Sequence, residues 1–214
     1  MNLFEENNWE EKLIPVIEKY KGRKYPLEYQ NNYQLIVMVI LSARDSDANI
    51  NKLAPSLFNK FPDFESISKS SLEEFTSYLT KVTNYHSKAK WIYDISNVLK
   101  KSDLPKNLDE FTKFKGIGRK SANVILKEIN LPAEGIICDL HVIRVVPRIG
   151  ITSEINDGNK LEKELIEKLP KKIWSEIGMS LSFLGREICR PKNPKCTECI
   201  LKNICSHYSI NYTT

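Results

Sequence analysis

The stretch Leu108–Ile129, "LDEFTKFKGIGRKSANVILKEI", decides the fold of this 214-residue chain. Apolar residues at 108, 111 and 114 recur at helical spacing, Gly116-Ile117-Gly118 interrupts them, and Ala122, Val124 and Ile125 resume the pattern. This predicts helix, tight turn, helix. The two glycines permit positive φ and close backbone approach, and Ile117 between them is placed to pin the turn into a core. The amides of Gly116, Gly118 and the next helix's first turn would then point outward as phosphate donors, helped by the helix dipole. Lys113, Lys115 and Arg119 surround the turn with positive charge. A plain pair of helices needs none of these cations, so the segment reads as a helix-hairpin-helix element that grips DNA.

Lys120 falls in the first turn of the second helix, where the positive end of the dipole and the adjacent Arg119 both disfavour a cation. Both effects lower a lysine's pKa, and only the deprotonated amine attacks carbon. A second phosphate contact is the alternative role, and this segment alone does not separate the two. Downstream, "IICDLHVIRVV" (Ile136–Val146) sets Asp139 just before an apolar-periodic segment, an ordinary place for a helix N-cap. The functional alternative is a carboxylate that stabilises positive charge at a sugar C1′ or takes a proton from Lys120. His141 is a candidate DNA contact, with a satisfied structural histidine as the alternative.

The rest of the chain reads as helices. Apolar residues at three- and four-residue spacing predict them over Trp9–Tyr20, Leu72–Leu79, Ser87–Lys100, Arg119–Ile129 and Lys160–Leu169. "LIVMVIL" (Leu35–Leu41) has the β-branched content of a buried strand, but no second strand exists to pair with it. It is expected to be a central buried helix, and the fold class all-α. With 41% hydrophobic residues the chain suffices for one large core or two modest ones. The net charge of +5 hints weakly at a polyanionic partner. An acidic N-terminus without a signal-peptide layout, and apolar runs far short of the roughly 20 residues that span a bilayer, predict a soluble cytoplasmic protein with no membrane partner.

Four of the five cysteines, Cys189, Cys196, Cys199 and Cys205, form a C-x6-C-x2-C-x5-C array. In a reducing compartment such a cluster is more often a metal site than a set of disulfides. Four thiolates can enclose a zinc ion or an iron-sulfur cluster. Zinc sites of this kind usually present two C-x2-C knuckles, and this array has one close pair with two outlying ligands, which favours a cluster.

"FKGIGRKSANVIL", then "CDLHVIRV", then the cysteine array resemble the endonuclease III family of DNA glycosylases, over nearly the whole chain. The resemblance implies a [4Fe-4S] cluster on the four cysteines, Lys120 as nucleophile and Asp139 as its assistant. It also implies a six-helix domain with the hairpin over about 25–135. Residues 1–24 and 136–214 would form a discontinuous helical domain that carries the cluster loop, with DNA in the cleft between them. The expected activity is that of a bifunctional glycosylase and AP lyase excising a damaged or modified pyrimidine from double-stranded DNA. The protein would be a monomer, nucleoid-associated if bacterial.

DNA contacts are expected from Lys115, Gly116, Gly118, Arg119, Arg44, Asn84, His141, Lys192 and Lys195. Several of these depart from the family's pattern. In "LSARDSD" Arg44 replaces a glutamine that enters the space of the flipped nucleotide, and Asn84 in "VTNYHSKA" stands where a wedging leucine is common. Lys115 replaces a proline, and Cys138-Asp139-Leu140 a V-D-T. Two other readings fit the sequence less well. A mismatch or adenine glycosylase needs an acid in the early apolar helix and a further C-terminal domain, yet "YQLIVMVILSA" has none and nine residues follow Cys205. A non-catalytic DNA-binding protein would not need Lys120 and Asp139 together.

Overall fold

The computed structural model describes residues 8–212, and every regular element among them is helical. α1 (Trp9–Tyr20) is followed by α2 (Asn32–Ser42), α3 (Asp47–Lys60), α4 (Phe64–Lys69), α5 (Leu72–Ser77), α6 (Tyr85–Leu99), α7 (Leu108–Thr112) and α8 (Arg119–Glu128). Then come α9 (Leu140–Ile149), α10 (Gly158–Lys168), α11 (Trp174–Glu187) and α12 (Ser206–Tyr212). Many starts are written in side chains: Asn8, Asn31, Ser46, Asp63, Ser71, Asn107, Asp139 and Asp157 each accept a backbone N–H of the turn that they open. No described helix is long and apolar enough to cross a membrane.

Two compact units result. Lys24–Leu131 holds α2 to α8, and the described residues up to Arg23 and from Pro132 onward form the other. In the first unit α2 is the buried axis: Leu35 to Leu41 are each at most 2% exposed, and α3, α6 and α8 pack on it. Each such side chain stabilises by roughly 1.5 to 3 kcal/mol, which overrides the strand preference of its valines and isoleucines. Tyr33 joins in through its hydroxyl, which donates to the Phe61 carbonyl at 2.7 Å, and through edge contacts with Phe58 and Phe64.

In the second unit α11 packs on α9 and on α1. Gly178, Ser182 and Gly185 lie at helical spacing on one side of α11. A Cβ at Gly178 would meet the Ile137 backbone nitrogen at 2.8 Å, and one at Gly185 would meet the His141 Cβ at 2.8 Å. This seam of small residues lets α11 approach closely enough for Ser182, fully buried, to reach the start of α9. Tyr20 at the end of α1 donates its hydroxyl to Glu187 of α11 at 3.1 Å, and Arg23 pairs with the same carboxylate.

Candidate nucleic-acid interface and active site

α7 and α8 pack against each other across the turn 113–118. Ile117 is 3% exposed and donates its N–H to Phe114, so the apolar residue does pin the turn. Gly116 has φ of 92°, and a Cβ there would meet the Trp91 ring at 2.7 Å, so this glycine answers both a left-handed backbone and a close approach. Gly118 corrects the sequence expectation. Its φ of −86° is ordinary extended backbone, because it serves as the N-cap of α8, where an extended residue precedes the first turn. Nothing lies within 4 Å of where its Cβ would be. Gly118 therefore keeps a space open instead of adopting a special φ. Gly118 supplies no capping side chain to the first turn of α8.

Lys120 is the second residue of α8 and half-buried, with Arg119 half-buried beside it and Lys113 and Lys115 exposed on the turn. Arg44 and Asn84 are exposed, one after the C-terminal end of α2 and the other before α6. Both have left-handed backbone, φ 58° and 56°.

In the other unit Asp139 caps α9 and does more. Its Oδ1 accepts the N–H groups of His141 and Val142 at 2.8 and 3.0 Å, while its Oδ2 accepts the Ser182 hydroxyl at 2.5 Å and lies 3.9 Å from Arg186 Nη2. One oxygen is spent on the helix and the other is held by α11. The capping role and a carboxylate role are thus compatible. His141 is half-buried, its Nδ1 3.2 Å from Arg144 Nη2, which ties it into its own helix. Leu140 between them is 79% exposed.

The cysteine loop follows α11 with only two short 3-10 turns, Cys196–Glu198 and Lys202–Ile204. Two arginines on successive turns of α9 hold it. Arg144 donates to the carbonyls of Gly185 and Cys189, both at 2.9 Å, and Arg148 to that of Arg190 at 2.9 Å and toward the Cys189 sulfur at 3.5 Å. Cys205 sits against the Arg148 carbonyl at 3.3 Å. Lys192 is exposed in the loop, and Lys195 lies 3.5 Å from Glu198, so its charge is partly met within the chain.

No disulfide joins the four cysteines. Burial pushes the Cys199 and Cys205 thiols up, backbone N–H groups oppose this, and the charges of the other array cysteines raise them further. Yet among the described residues no three His, Cys, Asp or Glu side chains converge as the ligands of one metal ion. Thiolates on a single tetrahedral zinc stand about 3.8 Å apart, given Zn–S bonds of about 2.3 Å. A cluster takes its thiolates on different irons and tolerates a wider set. The donor set is chemically right for such a cluster.

Ser182, Arg144, Arg148, Asp45 and Lys88 are the site residues that the sequence did not mark. Each acts on at least one group 38 or more positions away, as with Asp45 on Thr83, Ser182 on Asp139 and Arg144 on Cys189. Spacing within one segment carries no trace of such partners.

The description "HhH-GPD superfamily base excision DNA repair protein" matches residues 37–171. Endonuclease III of Bacillus subtilis is 36% identical over 84% of this chain and 83% of its own length. Endonuclease III of Rickettsia prowazekii is 34% identical over 85% of this chain and 86% of its own. Among solved structures, a non-covalent endonuclease III-DNA complex superposes with a TM-score of 0.86 at 28% identity, covering 99% of this chain and 100% of that one. A trapped covalent endonuclease III-DNA intermediate does so with a TM-score of 0.85, over 97% and 99%.

Proposed function

Since this chain belongs to the HhH-GPD superfamily of base excision DNA repair proteins, and within it to the endonuclease III family, we propose that Lys120 and Asp139 are its catalytic pair. The activity is that of a bifunctional DNA glycosylase and AP lyase, acting on DNA. The substrate is a damaged or modified pyrimidine in a duplex, and the protein acts as a monomer in the cytoplasm, on the nucleoid if bacterial.

The target nucleotide must leave the stack, because its glycosidic bond is inaccessible inside the duplex. The neutral amine of Lys120 then attacks C1′ and the base departs with the bonding pair, taking up a proton. The resulting secondary amine opens the sugar to a Schiff base by losing the ring C–O bond. Loss of a C2′ proton expels the 3′ phosphate by β-elimination, and water releases the lysine. Asp139 stabilises the positive charge that develops at the sugar and receives protons in transit, with Ser182 fixing its Oδ2.

Phosphate binding is supported by the open space at Gly118, the first-turn amides of α8 and the charges of Lys115 and Arg119. Gly116 shapes that turn. Arg44 and Asn84 take the position of the residues that fill the gap left by the flipped base. Arg44 offers a fork of donors that suits guanine's two acceptors, where a glutamine would offer a donor and an acceptor. His141 is a positioning contact at the start of α9, and Lys192 and Lys195 meet phosphates further along.

Cys189, Cys196, Cys199 and Cys205 would hold a [4Fe-4S] cluster. When bound it supplies iron-thiolate bonds that cross-link the loop 189–205 and so hold its cations in place. The C-x6-C-x2-C-x5-C spacing, with all four thiols in the one loop that follows α11, supports this assignment.

The observation that carries the catalytic reading is the place of Lys120, directly after the Gly116–Gly118 turn and in the first turn of α8. Borohydride should trap a covalent adduct with abasic DNA, and Lys120→Ala should abolish it, a loss of at least about 10⁴-fold in line with removal of other nucleophiles. An adduct at the wild-type rate in that variant would assign the chemistry to another amine. Asp139→Asn should bind DNA normally and slow base release. A parallel loss of binding would leave only the capping role.

A further inference from the structure

The C-terminal end of α2 is satisfied by an arrangement that the assignment of Lys120 and Asp139 does not use. The last four carbonyls of a helix have no partner within it. Here Val39 accepts the Ser42 hydroxyl at 3.0 Å, Ile40 the Ala43 N–H, and Ser42 the Asp45 N–H at 3.0 Å. The Leu41 carbonyl accepts Nζ of Lys88, at 2.7 Å, and the same ammonium donates to the Ala43 carbonyl at 2.7 Å. Lys88 is only 2% exposed, so α6 commits a buried cation to this one loop. Lysine is among the residues least often buried in full, and here it sits at the negative end of a helix dipole, where a cation is favoured.

The next residues continue the tie. Asp45 accepts the Ser46 N–H at 2.8 Å and the Asn49 amide at 2.9 Å on Oδ1, and on Oδ2 the Thr83 N–H at 2.8 Å. The Asn49 amide also donates to the Lys81 carbonyl at 3.1 Å. The two segments are thus joined at Asp45 and Thr83, each one residue away from an exposed side chain in left-handed backbone: Arg44 on one segment and Asn84 on the other. Non-glycine residues stay in that region only where their surroundings over-determine them. Asn84 precedes α6 without using its side chain as a cap, although asparagine is a favoured capping residue, so its amide remains for another purpose.

We propose that Lys88 and Asp45 are positioning residues that set Arg44 and Asn84 as one two-pronged reader, so that preference for the base opposite the lesion belongs to this brace and not to Arg44 alone. The proposal rests on the reading of Arg44 as a contact to the space of the flipped nucleotide. An Arg on an unbraced loop pairs with any nearby phosphate, whereas one held on either side, at the Ala43 carbonyl and at Asp45 across to Thr83, meets guanine's acceptors in a fixed orientation.

Single-turnover excision of one pyrimidine lesion opposite each of the four bases tests this, in wild type, Lys88→Met, Asp45→Ala, Arg44→Gln and the Lys88→Met/Arg44→Gln pair. Rates are taken per active molecule, counted by borohydride trapping on abasic DNA. The wild type should be fastest opposite guanine by roughly fivefold or more, the low end for a bidentate Arg–guanine pair. Lys88→Met and Asp45→Ala should each bring the four rates within about twofold, and the double variant should add nothing to Arg44→Gln, as residues acting as a unit do. Should Lys88→Met not fold, Asp45→Ala, on a half-buried loop, asks the same question. Four equal rates in the wild type would remove Arg44 as a reader, and the proposal with it. A guanine preference that survives both single substitutions, with or without uniform slowing, would remove the brace and leave Arg44 reading unaided.

Discussion

The hairpin 108–128 and the cysteine loop 189–205 both carry exposed cations, but they are held by different means. The hairpin is self-sufficient. Leu108, Phe111 and Ile117 are each at most 4% exposed, and Trp91 lies where a Gly116 Cβ would be. The loop has little of this. Cys196 and Leu201 are its buried residues, and its fixed points are arginine bonds to backbone carbonyls from α9. Packing writes the first, and on the proposed function ligation would complete the second. On the proposed function, the turn that carries Lys120 would fold with its domain, and the order of the loop would depend on what its cysteines hold.

Removing the metal should therefore separate the two regions. Oxidative destruction of the cluster, or Cys199→Ser, should release the loop to proteolysis between Arg190 and Lys195 and lower duplex affinity by about 10²-fold or more, with a shallower salt dependence as phosphate contacts are lost. Far-UV circular dichroism should keep the signal of the helices in Lys24–Leu131. Iron and sulfide analysis of the purified protein checks the premise, and stoichiometric zinc without iron would break it. Equal loss of order in both regions would show that the hairpin is not self-sufficient.

A loss of stability tests the hairpin. Gly116→Ala places a Cβ 2.7 Å from the Trp91 ring at a φ of 92°. Strained backbone and overpacking together should destabilise by about 3 kcal/mol, read as a lower denaturant midpoint at constant slope. Gly118→Ala meets no atom within 4 Å and has φ of −86°, so it should lose about 1 kcal/mol at most, from the weaker N-cap. Its effect should fall on DNA binding, where the added methyl fills the space that a phosphate needs. If the two variants change stability equally, the different duties given to the two glycines are wrong.

The hairpin was legible because its pattern is local: apolar spacing, two glycines and cations within 22 residues. So were the helix starts, where an Asn, Asp or Ser stands before an apolar-periodic run, and so was α2, by its lack of any strand partner. α3 was harder, since Pro55 lies inside it, and α9 has Pro147 near its end. α11 is a central buried helix, yet its glycines and serines are poor helix formers, and only the close approach of α9 explains them. Lys88 in "YHSKAKW" looks like any surface lysine until α2 ends beside it. The sequence shows which residues share a helix, and the tertiary structure decides which helix end or loop each one serves.

Ser182 gives the finest version of the comparison, because here a packing seam and a charge meet. Its hydroxyl is fully buried and its 2.5 Å bond to Asp139 Oδ2 depends on the glycines at 178 and 185 that bring α11 close. Ser182→Ala deletes one oxygen in a buried seam and leaves the two capping bonds to Oδ1 in place. A hydrogen bond to a charged group contributes about 1.5 to 3 kcal/mol, and about 1.4 kcal/mol corresponds to a tenfold rate. Base release in a single turnover should accordingly slow by roughly tenfold, while duplex affinity stays at the wild-type value. Borohydride trapping on a preformed abasic site should slow less, since no glycosidic bond breaks there and less charge must be stabilised. A drop in melting temperature with an unchanged rate would instead assign the hydroxyl to holding α11 on α9. That outcome would place Ser182 with the packing of its unit, and leave Asp139 oriented by the start of α9 alone.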